Sequence, residues 1–183
     1  MRTFYDIVQM AEQDTSIGLT AHYNPLAKLI NDKNYKSVIE IGTAYAGNAF
    51  HLLTHTDINS IVCIDPYLYY PAMPGFTCQG EYDTLFEFAK FRLLPSLKQV
   101  YFIRKTSREA INELGPVDLI FLDGSHEYED VKWECENYSK LVKPGGVLSG
   151  HDYDIFEGVN KAVNEVFGNK VNVLPGNIWY VNF

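Results

Sequence analysis

The chain has 183 residues, 46% of them hydrophobic and 14% aromatic, with a formal charge of −8. That content excludes a disordered chain, the length suits one sizeable core better than two, and scattered basic residues on an acidic background argue against a nucleic-acid surface. No apolar run approaches the roughly 20 residues of a membrane helix, and the opening MRTFYDIVQMAEQD lacks the apolar centre of a signal peptide, so the expectation is one cytoplasmic domain over 1–183, without a membrane partner.

Apolar runs alternate with helical patterns along the chain, the mark of an α/β fold with a mostly parallel sheet and helices on both faces. The helical stretches, in order, are Pro25–Asn31, Gly47–Leu53, Tyr82–Leu94, Ser107–Leu114, Tyr128–Leu141 and Phe156–Phe167. Seven strands are expected at Ser37–Ile41, Ser60–Ile64, Val100–Ile103, Val117–Leu122, Gly146–Ser149, Lys170–Val173 and Ile178–Asn182. The last two are too close for a parallel crossover and must form an antiparallel hairpin. Lys143-Pro144-Gly145-Gly146 reads as a helix cap and turn into the next strand. Pro66–Gly80, rich in Tyr, Pro and Gly, reads as a lid or pocket wall. Cys63, Cys78 and Cys135 are odd in number and lack CxxC spacing, so they read as reduced packing residues. His22, His51 and His55 have surface or helix-flank settings.

Ligands bind at the carboxyl ends of the strands in such a sheet, and the charged residues of this chain gather there. The first strand runs into Gly42 and, after four intervening residues, Gly47. This turn lets a backbone approach a ligand and opens a helix, although the GxGxxG dinucleotide fingerprint is missing. Asp65 ends the second strand, where a carboxylate can accept from a ribose diol or cap the turn before Pro66. Glu40, amid Val38, Ile39 and Ile41, is costly unless exposed at the strand end or paired. The fourth strand delivers Asp123, His126 and Tyr128. The fifth delivers His151, Asp152 and Tyr153, so Asp123, His126, His151 and Asp152 can meet in one place.

EIGTAYAG at 40–47, CIDPY at 63–67, RKTSREA at 104–110, FLDGSHEYEDV at 121–131, LVKPGGVLSGHDY at 141–153 and NIWYV at 177–181 occur in one order across nearly the whole chain. In this the chain resembles the class I S-adenosylmethionine-dependent methyltransferases, in their small-molecule O-methyltransferase branch. The resemblance implies a Rossmann-like methyltransferase fold. It implies that Gly42, Thr43, Gly47 and Asn48 contact the methionine part of the cofactor, with Glu40 at the base of the pocket. It further implies that Asp65 holds the ribose, that Ser107 lies beside the adenine, and that Asp123 borders both cofactor and chemistry. Ala46 and Asn48 depart from the Gly and Ser more common in the family.

Methyl transfer from a sulfonium needs alignment, removal of the acceptor proton and exclusion of water. Metal-dependent relatives carry acidic residues at the positions of Asp123 and of 151–152, which implies a divalent cation at Asp123, His151 and Asp152. The imidazole at 151 turns the choice from Mg²⁺ towards Mn²⁺, Fe²⁺ or Zn²⁺, or towards no metal. His126 is the expected base, since its ordinary pKa lies near neutrality and sugar-modifying relatives carry their base there. The expected partner is a small molecule, with self-association left open. Two other readings stand beside this one: a nucleotide-dependent oxidoreductase or hydroxylase-like enzyme on the same fold, and a non-catalytic cofactor-binding regulator.

Overall fold

The computed structural model describes residues 1–16, 22–71 and 75–183. Helices α1 (Phe4–Ser16) and α2 (Tyr23–Lys33) precede β1 (Ser37–Ile41), α3 (Gly47–His55), β2 (Ser60–Ile64), α4 (Gln79–Leu93) and β3 (Gln99–Ile103). There follow α5 (Ser107–Ala110), β4 (Val117–Leu122), α6 (Tyr128–Tyr138), β5 (Val142–Gly150), α7 (Glu157–Phe167), β6 (Asn172–Leu174) and β7 (Ile178–Asn182). The strands form one sheet in the order β3-β2-β1-β4-β5-β7-β6. β3 to β5 are parallel, and β7 runs antiparallel to both β5 and β6. The expected C-terminal hairpin is present.

The period of two along each strand divides its side chains between two helical layers. Val38, Leu119, Phe121 and Val147 pack with Leu26, Ile30, Leu52 and Leu85 of the helices on one face. Ile39, Ile41, Ile120, Leu122 and Leu148 pack with Val131, Cys135, Val159 and Val163 on the other. Burial on both faces explains why these strands are mostly apolar, with Glu40 and Asp118 as exceptions, each buried Val, Leu or Ile contributing about 1.5–3 kcal/mol. Asp118 secures the amino ends of the central strands: it accepts from Lys36 N, Ser37 N and Ser37 Oγ, each at 2.9 Å, and from Lys143 Nζ at 2.9 Å.

Several expected boundaries move. Ser107–Leu114 is not one helix. Thr106 and Glu109 make a reciprocal capping box over α5, and the chain tightens at Ile111–Glu113 into a 3-10 turn. The segment 143–146 is no helix cap. A 3-10 turn at Ser139–Leu141 already ends the helix, and Lys143 to Gly146 lie inside β5, where the register with β4 shifts and Gly145 takes a φ of +83°. Glycine there serves a bulge in a strand. Gln79 and Gly80 belong to α4 rather than to the preceding loop. Within that loop Tyr67 and Phe76 are buried in the core, whereas Leu68, Tyr69 and Tyr70 are exposed. Residues 72–74 of the expected lid lie outside the described residues.

Candidate active site

The strand order reverses between β1 and β4, and their carboxyl ends define the crevice. One residue beyond each strand the backbone still bonds sideways: Gly42 N to the Ile64 carbonyl at 2.9 Å, Asp123 N to that of Ile41 at 2.8 Å, and His151 N to that of Leu122 at 3.0 Å. These bonds fix Gly42, Asp123 and His151 in a row. A Cβ at Gly42 would collide with the Asp123 carbonyl, and its φ is +85°, so glycine is required by the close approach of two backbones as well as by its conformation.

Asp123, His126, His151 and Asp152 do come together. His126 Nε2 lies 2.8 Å from Asp152 Oδ2, and His151 Nδ1 lies 3.0 Å from Asp152 Oδ1. His151 Nδ1 is also 3.6 Å from Asp123 Oδ1. One atom from each of Asp123, His151 and Asp152 falls within 4.8 Å of the others, the group best suited to a cation among the described residues. Asp152 holds this position with a φ of +64°, a left-handed conformation that Asp tolerates better than most residues. Non-glycine residues held so are frequent at functional sites. The His126 ring lies flat on Phe156, with centroids 4.0 Å apart and planes 1° apart.

A fifth residue enters that the sequence did not single out. His22, expected at a surface or helix flank, is 5% exposed, and its Nε2 lies 3.8 Å from Asp123 Oδ2. Its ring stands 4.3 Å from that of His151 and stacks on Phe121. Imidazoles and carboxylates thus alternate from His126 through Asp152, His151 and Asp123 to His22. Their electrostatics diverge accordingly. The hydrogen bond to Asp152 raises the His126 pKa. Burial would push Asp152 up, but His126 and His151 hold it far below the usual carboxylate range. Burial would lower His151, but Asp152, Asp123 and a hydrogen bond to the Gly176 backbone raise it. Asp123 is pushed up to about 6 by burial, and His22 down to about 3 for the same reason.

On the β1 side, Glu40 is 2% exposed and points into the layer that holds Val38. It is neither exposed nor fully paired: Asn48 Nδ2 donates to Oε1 at 2.9 Å, while Oε2 is buried without a partner. Burial pushes its carboxyl up to about 8. Thr43 Oγ1 and Asn48 Oδ1 are likewise buried and unpartnered. Asp65 behaves as a turn cap, accepting from Ala44 N at 2.9 Å and Tyr67 N at 2.8 Å. Ser107 is partly buried; its carbonyl accepts from Tyr138 Oη at 2.8 Å, and its side chain bonds Glu134. Gly47 opens α3 with Tyr23 Oη against it. Tyr128 bonds Glu165 at 2.5 Å, away from the cluster.

The donors at the end of β1 fit a charged, hydrogen-bonding cofactor. Among the described residues, three buried oxygens of Glu40, Thr43 and Asn48 have no partner at hydrogen-bonding distance, although Thr43 is near enough to Glu40 to draw its carboxyl down somewhat, and orphaned groups of this kind are uncommon in an interior that binds nothing. The acidic and imidazole donors at the ends of β4 and β5 fit a divalent cation.

Residues 39–153 match a family described as a methyltransferase domain. The uncharacterized protein R132 of Acanthamoeba polyphaga mimivirus is 26% identical over 164 residues, which span 81% of this chain and 70% of that one. Among solved structures, an O-methyltransferase from Bacillus cereus in complex with SAH superposes with a TM-score of 0.61 at 13% identity, over 98% of this chain and 90% of the other. TomG, an O-methyltransferase from Streptomyces achromogenes involved in tomaymycin synthesis and solved with SAM, gives 0.58 at 15% identity, over 86% and 77%. These likenesses confirm the Rossmann-like sheet and its C-terminal antiparallel strands.

Proposed function

The chain belongs to the methyltransferase domain family, and on that premise we propose that it transfers the methyl group of S-adenosylmethionine to a hydroxyl oxygen of a small molecule, acting as a single domain over 1–183. The observation that carries the reading is the His126–Asp152 contact at 2.8 Å beside Asp123, at the mouth formed by β4 and β5. Geometry of this kind orients an imidazole and strengthens it as a base.

Bound S-adenosylmethionine supplies an activated methyl group on a sulfonium. Gly42, Thr43, Gly47 and Asn48 would hold its amino-acid end, with Glu40 beneath, Asp65 at the ribose and Ser107 near the adenine. The unpartnered Glu40 Oε2 and Thr43 Oγ1 support that placement. Asp65 would exchange its bonds to Ala44 N and Tyr67 N for the ribose hydroxyls.

His126 takes the acceptor proton on the nitrogen not engaged by Asp152. The Asp152 charge, held far below neutrality, stabilises the imidazolium that results. Stacking on Phe156 fixes the ring plane. Asp123, His151 and Asp152 would hold a divalent cation, whose chemistry is to lower the pKa of a nearby hydroxyl. Asp152 can serve both ends, with Oδ1 towards His151 and Oδ2 on His126.

The test is formation of S-adenosylhomocysteine from S-adenosylmethionine with a panel of catechols, sugar nucleotides and other hydroxyl-bearing small molecules. Turnover with at least one acceptor that His126→Ala loses, with a methyl ether as product, is the expected result. Methylated nitrogen or carbon, or full activity in the variant, would reject the O-methyl reading and the base respectively.

A further inference from the structure

We propose that His22 is a fourth ligand of a borderline first-row divalent ion such as Zn²⁺, Mn²⁺, Fe²⁺ or Co²⁺, completing with Asp123, His151 and Asp152 a site of two imidazoles and two carboxylates. The inference rests on the cation reading above and extends it to a residue from the other end of the chain.

The first support is burial without a partner. His22 is 95% buried, and among the described residues neither Nδ1 nor Nε2 has a hydrogen-bond partner. An unpartnered buried nitrogen is costly, and the ring is nonetheless aimed into the acidic cluster. Tyr23 meets it edge-on at 4.6 Å and Phe121 stacks on it at 5.7 Å, so packing on two sides sets its direction.

Spacing is the second support. His22 Nε2 to Asp123 Oδ2 at 3.8 Å and His151 Nδ1 to Asp123 Oδ1 at 3.6 Å are too long for hydrogen bonds. Two donors on one ion, each roughly 2.0–2.2 Å from it, lie about 3 to 4 Å apart, which these two separations match; His22 stands outside the trio whose ligand atoms all lie within 4.8 Å of one another, so its ring must close in on them to share the ion. Two imidazole rings with centroids 4.3 Å apart cannot both carry a proton cheaply, whereas both can face one cation as neutral ligands.

Orientation outside the cluster is the third. His151 turns Nδ1 towards the two carboxylates, which leaves Nε2 on the far side of the ring for the outer contact that ligating histidines usually make. Asp152 is braced in the same way by His126 through its second oxygen. A nitrogen-rich donor set disfavours Mg²⁺, which takes oxygen and water. Since His22 sits immediately before α2, the ion would tie the N-terminal helices to the ends of β4 and β5.

The experiment is titration of chelator-stripped full-length protein with Co²⁺, Zn²⁺ and Mg²⁺, read by visible absorption and calorimetry. The expected result is one Co²⁺ per chain with d–d bands of a nitrogen- and oxygen-ligated ion, displacement by Zn²⁺, and no competition from Mg²⁺. His22→Ala should weaken Co²⁺ binding about tenfold or more, an effect of the order seen when ligand environments are disrupted. His22→Cys should restore binding and add a thiolate-to-cobalt charge-transfer band that the wild type lacks, which a merely structural role could not produce. Circular dichroism of both variants checks folding. If His22→Ala keeps wild-type affinity and His22→Cys shows no new band, His22 is not a ligand and only this proposal fails. If Mg²⁺ binds as well as Co²⁺, the assigned metal class fails. If wild-type protein binds none of the three, the cation reading fails with it.

Discussion

Replacing Glu40 by Gln should remove a pH-dependent cost from the fold and a proton from the cofactor-binding equilibrium. Glu40 is buried, accepts from Asn48 with Thr43 close by, and burial pushes its carboxyl from 4.5 up to about 8. Its carboxyl is protonated and unpenalised below the unfolded value of 4.5. The penalty grows as pH rises and is complete above about 8, where it amounts to about 5 kcal/mol. Gln keeps an oxygen for the Asn48 donor and never ionises. Melting curves should therefore show wild type and variant alike near pH 4.5, with the wild type falling behind by pH 8.5. At pH 7 a carboxyl that titrates near 8 is about nine-tenths protonated. A bound ligand carrying sulfonium and ammonium charges favours the ionised form, so wild-type protein should release up to about 0.9 proton more than Glu40→Gln on binding S-adenosylmethionine. Calorimetry at pH 7 in two buffers of different ionisation enthalpy measures that number. Asp123, raised to about 6, titrates in both proteins and cancels in the comparison. Equal proton counts for the two proteins would refute the placement of the cofactor cation over Glu40.

Other outcomes follow from the same geometry. His126→Ala should keep cofactor affinity and lower kcat by about 10²–10⁴, the usual worth of a positioned base, in single-turnover assays. Asp152→Asn removes the charge that raises His126, so the acid limb of the kcat/KM profile should move to lower pH as turnover falls; an unmoved limb would mean that His126 is not the titrating base. Asp118→Ala, far from the crevice, should destabilise the fold by about 2–4 kcal/mol because it orphans the Lys36 and Ser37 amides. Burial opposes the lowering of the Asp118 carboxyl, but bonds from Lys143, Lys36 and Ser37 bring it to about 2. Its contribution is thus present above pH 4 and lost as pH falls through about 2, which acid unfolding of wild type and variant can compare.

Much of the fold could be read from the chain because parallel strands buried on both faces are mostly apolar, as β1, β2 and β4 are apart from Glu40, Asp118 and the serines that open β1 and β2. Asp123, His126 and Asp152 were readable because strand ends are local features, and topology brings neighbouring ends together. His22 was not. About a hundred residues separate it from Asp123, and a lone His before a helix carries no periodicity or spacing that distinguishes it from a surface residue. Its role depends on how α2 packs over Phe121, which only the tertiary structure supplies. Residues 143–146 were misread for a related reason: Pro-Gly-Gly after a helix suits a cap and a bulge equally, and the pairing of β5 with β4 decides. Asp65 showed the reverse. Its carboxylate was read as a ribose ligand or a turn cap, and the chain by itself adopts the cap.

The most direct test of the account is calorimetric titration of the full chain with S-adenosylmethionine and, separately, NAD⁺, each with and without EDTA. The account predicts one-to-one binding of S-adenosylmethionine alone, retained in EDTA because Glu40, Thr43, Asn48 and Asp65 would hold the cofactor while Asp123, His151 and Asp152 would hold the cation. Binding of NAD⁺ in its place, or of neither ligand, would contradict it.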